Sequence, residues 1–157
     1  MLMPVSRTTR LLLLILLTLA AAPAFAGINR WTPFGPGGGS IDDVVLDPRS
    51  PETLWIASAG TVYKSEDGGT SWHPSASGLE LLFDRVPPRT VYAATYADGI
   101  LRSRDGGATW EPLNNGLPLP IRGPVTVLVQ DPVRGQRFYT APGSGGFYRA
   151  DFTAGPL

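Results

Sequence analysis

The pattern S-x-D-x-G-x-[ST]-W occurs twice in this chain. The first copy is Ser65-Glu66-Asp67-Gly68-Gly69-Thr70-Ser71-Trp72, and the second, 38 residues on, is Ser103-Arg104-Asp105-Gly106-Gly107-Ala108-Thr109-Trp110. Recurrence at a period near 40 marks a chain built by stacking small units, as propeller blades or as a solenoid. A second landmark runs alongside, an Asp followed eight residues later by an aromatic: Asp47…Trp55, Asp84…Tyr92 and Asp131…Tyr139. Together they divide the chain into units of about residues 35–78, 79–118 and 121–157.

Each unit reads as short strands separated by turns. In unit one Ile41 to Leu46, Thr53 to Ser58 and Thr61 to Ser65 read as strands, and a last one begins near Trp72. In unit two only Leu79 to Phe83 is left of the first strand, followed by Val91 to Thr95 and Gly99 to Ser103. Unit three offers Val125 to Val129, Gln136 to Thr140 and Gly146 to Arg149. Where its octapeptide is due, the chain has Ala150-Asp151-Phe152-Thr153-Ala154-Gly155. Nineteen Gly and 16 Pro punctuate these strands, and that density favours an all-β fold.

The octapeptide has the chemistry of a hairpin corner. Asp67 and Asp105 can accept backbone N–H bonds just downstream, and Ser65 and Ser103 can bond back across the loop. Gly69 and Gly107 supply positive φ, and Trp72 and Trp110 open the next strand and bury a large ring against a neighbouring unit. Folding accounts for all eight residues without any catalytic role.

Residues 1–26 read as a secretory leader. Arg7 and Arg10 precede the apolar run Leu11 to Ala22, and Ala24-Phe25-Ala26 is a cleavage signal before Gly27. The run is shorter than the roughly 20 residues a membrane span needs. The expectation is a signal-peptide helix followed by a mature β domain, 27–157, exported to a bacterial periplasm or beyond and holding no stable membrane span after cleavage. The chain has no cysteine, so an exported product holds together by packing alone. Without Arg7 and Arg10, 11 basic residues face 13 acidic ones, a net charge of −2, and no basic block stands out. No nucleic-acid partner is expected.

These residues resemble the Asp-box (BNR) repeat family. The second octapeptide matches its pattern throughout, and the first matches with Ser71 in the Thr position. The lead-in Gly37-Gly38-Gly39-Ser40-Ile41 and then Val45-Leu46-Asp47-Pro48 is similar to exported bacterial members. The family includes sialidases, sortilin-type receptor propellers, xyloglucanases and the photosystem II assembly/stability factor group. The resemblance implies β-propeller blades of four antiparallel strands, with the Asp-box between the third and fourth. It implies no single activity. Since a closed propeller takes about 4–8 blades, three blades make a partial or open propeller. A piece of a longer propeller, copies that self-associate to close a ring, and an arc held by a partner all remain open.

Candidate chemistry is sparse. No arginine can be matched to a sialidase carboxylate-binding position. Asp42 and Asp43, as neighbours on a strand, are expected on opposite faces and so not to form an acid pair. His73 is the only histidine, which speaks against zinc or a serine triad. A calcium site on Asp42, Asp43 or Asp67 has no loop pattern behind it. The Gly-rich lead-in lacks the G-K-[ST] of a phosphate loop. The expectation is a scaffold with no catalytic residue, metal or cofactor, taking a protein or glycan ligand at a loop rim that contains Tyr96, Asp98, Pro120 and Ser144. The alternatives are a sialidase-like or xyloglucanase-like glycoside hydrolase remnant or subunit, and a photosystem II assembly/stability factor-like protein.

Overall fold

The computed structural model describes residues 31, 33–37, 39–84, 90–118, 120 and 123–152. The leader read at residues 1–26 lies outside them. Two compact units divide at Thr32, and every strand belongs to the unit that begins at Pro33.

Among the described residues the fold is all-β, with eleven strands in three antiparallel sheets. The first sheet holds β1 (Ile41–Leu46), β2 (Leu54–Ser58), β3 (Thr61–Ser65) and β4 (His73–Ser77) in that order. The second holds β5 (Glu80–Phe83), β6 (Val91–Ala94), β7 (Ile100–Ser103) and β8 (Glu111–Pro112). The third holds β9 (Val125–Gln130), β10 (Arg137–Pro142) and β11 (Tyr148–Asp151). These are three consecutive blades of a partial propeller, their innermost strands β1, β5 and β9 lying side by side. No helix among the described residues is long and apolar enough to cross a membrane.

The second strand of blades one and two is buried on both faces, and its sequence is correspondingly apolar: Trp55-Ile56-Ala57 in β2 and Val91-Tyr92-Ala93-Ala94 in β6 are all buried, whereas β10 of blade three is buried at alternate residues. The core is therefore split between the two seams. Trp55, Ala57 and Val62 of blade one pack on Leu81, Val91 and Ala93 of blade two. Tyr92, Ala94 and Ile100 of blade two pack on Val125, Leu128 and Phe138 of blade three. Burying whole sheet faces is the main favourable term in such a fold.

The two octapeptide corners have the same bonds. Ser65 Oγ donates to Asp67 Oδ1 at 2.8 Å and accepts the Gly69 N–H at 2.8 Å. Asp67 then accepts Ser71 N–H at 2.8 Å and Ser71 Oγ–H at 2.6 Å. Ser103, Asp105, Gly107 and Thr109 repeat this at 2.8, 2.7, 2.9 and 2.6 Å. Gly69 and Gly107 have φ of 89° and 90°. These bonds to the ionised form hold both Asp67 and Asp105 well below the usual carboxylate range, at about 2, with the Ser71 and Thr109 hydroxyls the largest cause.

The two tryptophans differ. Trp110 reaches into the preceding blade: its Nε1–H donates to Ser75 Oγ at 3.1 Å, and its ring meets Trp55 edge-on at 6.2 Å. Trp72 Nε1–H donates instead to Gly69 O of its own corner at 3.0 Å. A Cβ on Gly107 would overlap the Trp55 ring and come within 2.9 Å of Ser75 Oγ, so this corner serves also as a seat between blades one and two.

Candidate acidic cavity on the innermost strands

The innermost strands carry a repeat-related carboxylate. Asp43 stands four residues before Asp47, and Glu80 four residues before Asp84. Both link one blade to the next. Asp43 Oδ2 accepts the Leu81 N–H of β5 at 2.7 Å, and the Glu80 carboxylate accepts the Leu128 N–H of β9. Leu81 and Leu128 are themselves repeat counterparts, three residues before Asp84 and Asp131. In blade three the same position is Val127, which is exposed. The chain of carboxylate links therefore stops there.

Asp42 and Asp43 do not divide between opposite sides as strand alternation predicts. The β1–β2 register runs Ile41↔Ser58 and then Asp43↔Ala57, a bulge that inserts Asp42 as an extra residue. With the period of two broken, Asp42 and Asp43 line the same cavity, together with Leu79, Glu80 and Thr126. Its volume is about 400 Å³, within the range of small-molecule sites. All three blades contribute to its wall.

Glu80 is the unusual group. Burial, and next the Asp43 charge, push its carboxyl up to about 7, against the Leu128 N–H that favours the charged form. Its Oε2 is buried with no hydrogen-bond partner among the described residues. A carboxyl in that state can present a proton or accept one near neutral pH. Asp43 is committed differently: Oδ1 accepts Val44 N–H at 2.8 Å while Oδ2 holds Leu81. No three His, Cys, Asp or Glu among the described residues stand close enough to hold a metal ion.

By strand direction the cavity lies at the end of the sheets where β6 turns into β7 and β10 into β11, opposite the octapeptide corners. The four rim residues sit in loops at that end. Tyr96 and Asp98 lie between β6 and β7, Pro120 between β8 and β9, and Ser144 between β10 and β11, and all are exposed. Asp98 Oδ2 accepts Ser77 Oγ–H of blade one at 3.3 Å, and its carbonyl accepts Asn114 Nδ2–H at 2.8 Å. None of the four lines the acidic cavity or the cleft between blades two and three. That cleft, about 90 Å³, has Tyr92, Leu113, Phe138 and Phe152 among its walls. Tyr92 and Leu113 are the counterparts of Trp55 and Ser75, which seat the octapeptide corner of blade two. In blade three Phe152 stands at the position of the box Asp and packs on Phe138 with ring centroids 5.4 Å apart.

Sequence reasoning missed Glu80, although its spacing from Asp84 matches that of Asp43 from Asp47. It also missed a triple Trp-x-Pro: Trp31-Thr32-Pro33, Trp72-His73-Pro74 and Trp110-Glu111-Pro112. The latter two lead into β4 and β8, the fourth strands.

No protein-family profile matches the chain, and no curated protein sequence matches it. Solved structures do. A GH74 enzyme from Niastella koreensis superposes with a TM-score of 0.56 at 21% identity, over 71% of this chain and 21% of that one. The GH74 xyloglucanase of Xanthomonas campestris gives 0.52 at 18%, over 69% and 20%. YCF48 from Cyanidioschyzon merolae gives 0.52 at 21%, over 72% and 34%. These likenesses show the β-propeller fold. The chain spans about a fifth to a third of the length of these neighbours.

Proposed function

We propose that this chain is an exported, non-catalytic propeller-type scaffold of the Asp-box kind. It binds a protein or glycan ligand at the end of the blades that carries the rim loops and the acidic cavity. The observation behind this is the roughly 400 Å³ cavity, to which Asp42, Asp43, Glu80 and Thr126 bring hydroxyl-binding groups from all three blades. The Asp-box residues are consumed by their own turns, so they are not available to a ligand. Export rests on the leader read at residues 1–26.

A glycoside hydrolase remnant or subunit is the second reading. It is favoured by the pairing of a proton-holding Glu80 with Asp43, and by a GH74 xyloglucanase among the fold neighbours. Glu80 would be its acid. The base is the weak point, because both Asp43 oxygens already hold backbone N–H groups of β1 and β5. On this ground the scaffold is preferred.

Incubating the exported protein with fluorogenic sialoside and β-glucan substrates, and titrating it with a xyloglucan oligosaccharide, separates the two readings. The scaffold gives no turnover, and oligosaccharide binding, where present, weakens in Glu80→Gln and Asp42→Asn. Turnover abolished by Glu80→Gln overturns it in favour of the hydrolase. Neither turnover nor glycan binding assigns the surface to a protein ligand.

A further inference from the structure

Asn115-Gly116 is the one Asn-Gly pair in the chain. It forms the middle of a turn between β8 and β9, which the Leu117 N–H closes by donating to Asn114 O at 2.9 Å. Both residues are exposed. Among the described residues, no hydrogen-bond partner holds the Asn115 side-chain amide, and the Gly116 N–H donates to no carbonyl. Gly116 has φ of 87°, and the space where a β-carbon would stand is open. An asparagine in this setting has an internal reaction open to it. The next backbone nitrogen can attack the side-chain amide carbon, because glycine has no β-carbon to obstruct the approach.

The neighbouring candidates are all held. Asn114 is tied at both ends of its amide: Oδ1 accepts the Ile100 N–H at 2.9 Å, and Nδ2–H donates to Asp98 O at 2.8 Å. The residue after it is Asn115, whose own β-carbon crowds the attacking nitrogen. Three Asp-Gly pairs have the same spacing, at Asp67-Gly68, Asp98-Gly99 and Asp105-Gly106. Asp67 and Asp105 are bound by the N–H and hydroxyl groups of Ser71 and Thr109, and these bonds favour the ionised form. A carboxylate must be protonated before it can lose an oxygen as water, whereas an amide needs no such step. The Gly68 N–H is moreover donated to Glu52 O at 2.9 Å. Asp98 is fixed by Ser77 Oγ–H on its carboxylate at 3.3 Å and by its own N–H on Thr95 Oγ1 at 2.8 Å.

We propose that Asn115 is a site of spontaneous covalent modification, at which loss of ammonia yields aspartate and isoaspartate and changes the wall of the cleft between blades two and three. The Gly116 nitrogen forms a bond to Asn115 Cγ and gives up its proton, and Nδ2 leaves with that proton as ammonia. A cyclic imide remains, and one water molecule opens it. Water attacking Cγ restores the normal peptide link and leaves an aspartate. Water attacking the Asn115 backbone carbonyl leaves the chain running through Cγ, an isoaspartate. No electrons are gained or lost. Asn115 and Gly116 both line the cleft, and among its described lining residues Arg149 alone carries a permanent charge. Either product adds a carboxylate to that wall. The isoaspartate also inserts a methylene into the backbone of the turn, next to the Asn114 side chain that ties the start of β7 to the Asp98 loop. The inference does not depend on which ligand the acidic cavity takes.

In the test, the full chain is held in warm, mildly alkaline buffer, sampled over days, digested with trypsin and sequenced by fragmentation mass spectrometry. The expected result is replacement of NH2 by OH at Asn115 alone within the peptide 105–122, with hydroxylamine trapping the imide. A synthetic peptide of the same residues separates the fold from the sequence. The folded chain is expected to react within about tenfold of the peptide rate, since an exposed turn opens readily. Gly116→Ala is expected to slow the conversion by about tenfold or more, because its β-carbon stands in the path of the nitrogen. A folded chain that stays unmodified, or reacts about a hundredfold slower than the peptide, overturns the proposal. So does conversion at Asn114 ahead of Asn115, or a rate that Gly116→Ala leaves unchanged.

Discussion

Glu80 and the box aspartates respond to pH in opposite senses. The Glu80 carboxyl moves from an ordinary 4.5 to about 7 on folding, so the folded chain holds a proton the unfolded chain has lost. Its contribution is complete below pH 4.5 and is lost as pH rises through 7. Asp67 and Asp105 move from 3.8 to about 2, so theirs is complete above pH 3.8 and is lost as pH falls through 2. The thermal midpoint, measured from pH 2 to 8, is expected to rise to about pH 4 and then decline toward 7. Glu80→Gln should flatten the declining limb, which is worth about 1 kcal/mol once solvent screening of a half-exposed carboxyl is allowed for. Asp67→Asn and Asp105→Asn should flatten the rising one. A declining limb that survives Glu80→Gln would show that this carboxyl is not desolvated. The bulge at Asp42 is the residue-scale event that the sequence does not display. Alternation predicts opposite sides for Asp42 and Asp43, and only the pairing with β2 reveals the inserted residue.

At the scale of elements, the corner between β7 and β8 is both a turn and a packing surface, and two glycines separate those roles. Gly107 has φ of 90° and lies against the Trp55 ring, whereas Gly116 has φ of 87° with open space where a Cβ would go. Gly116→Ala should cost only the left-handed strain, about 1–2 kcal/mol. Gly107→Ala should cost distinctly more, because the added methyl also displaces Trp55. Equal denaturation midpoints for the two variants would mean that the corner does not bear on the seam. Trp55→Ala removes the ring that Phe83, Trp110 and the Gly107 corner all touch, and should cost about 3–5 kcal/mol by urea unfolding. The strands themselves are legible from runs such as Val125-Thr126-Val127-Leu128-Val129, since β-branched residues between turn signals leave little else to form. The length of β8, two residues, is not legible, because Pro112 limits what it can pair and only β7 shows where pairing ends.

Across the whole molecule, stability should be graded from the middle strands outward. β2 and β6 are buried on both faces, while β4 and β8 lie at sheet edges, β8 with only two residues. Amide hydrogen exchange is therefore expected to be slowest at Ile56, Ala57 and Val91 to Ala94, and fastest along β4 and β8. Slower exchange in β4 than in β2 would contradict a core divided between seams. The links between the innermost strands add direction to this arrangement. Asp43 and Glu80 each reach forward to the next blade, and Val127 ends the series, so blade three offers an apolar face where the others offer a carboxylate.

What the sequence determined unaided is the unit: its length, its strand order and the corner built from Ser, Asp, Gly and Trp. All of these rest on turns and on pairings between successive strands such as Ile41 with Ser58, which are close enough in the chain to leave a local signature. The tertiary structure alone decided what happens between units. The cavity shared by Asp42, Asp43 and Glu80, the seat of Gly107 on Trp55 and the position of Phe34 against Gly69 join residues up to about 50 apart. Such contacts depend on blade stacking and a bulge, and no nearest-neighbour pattern encodes them.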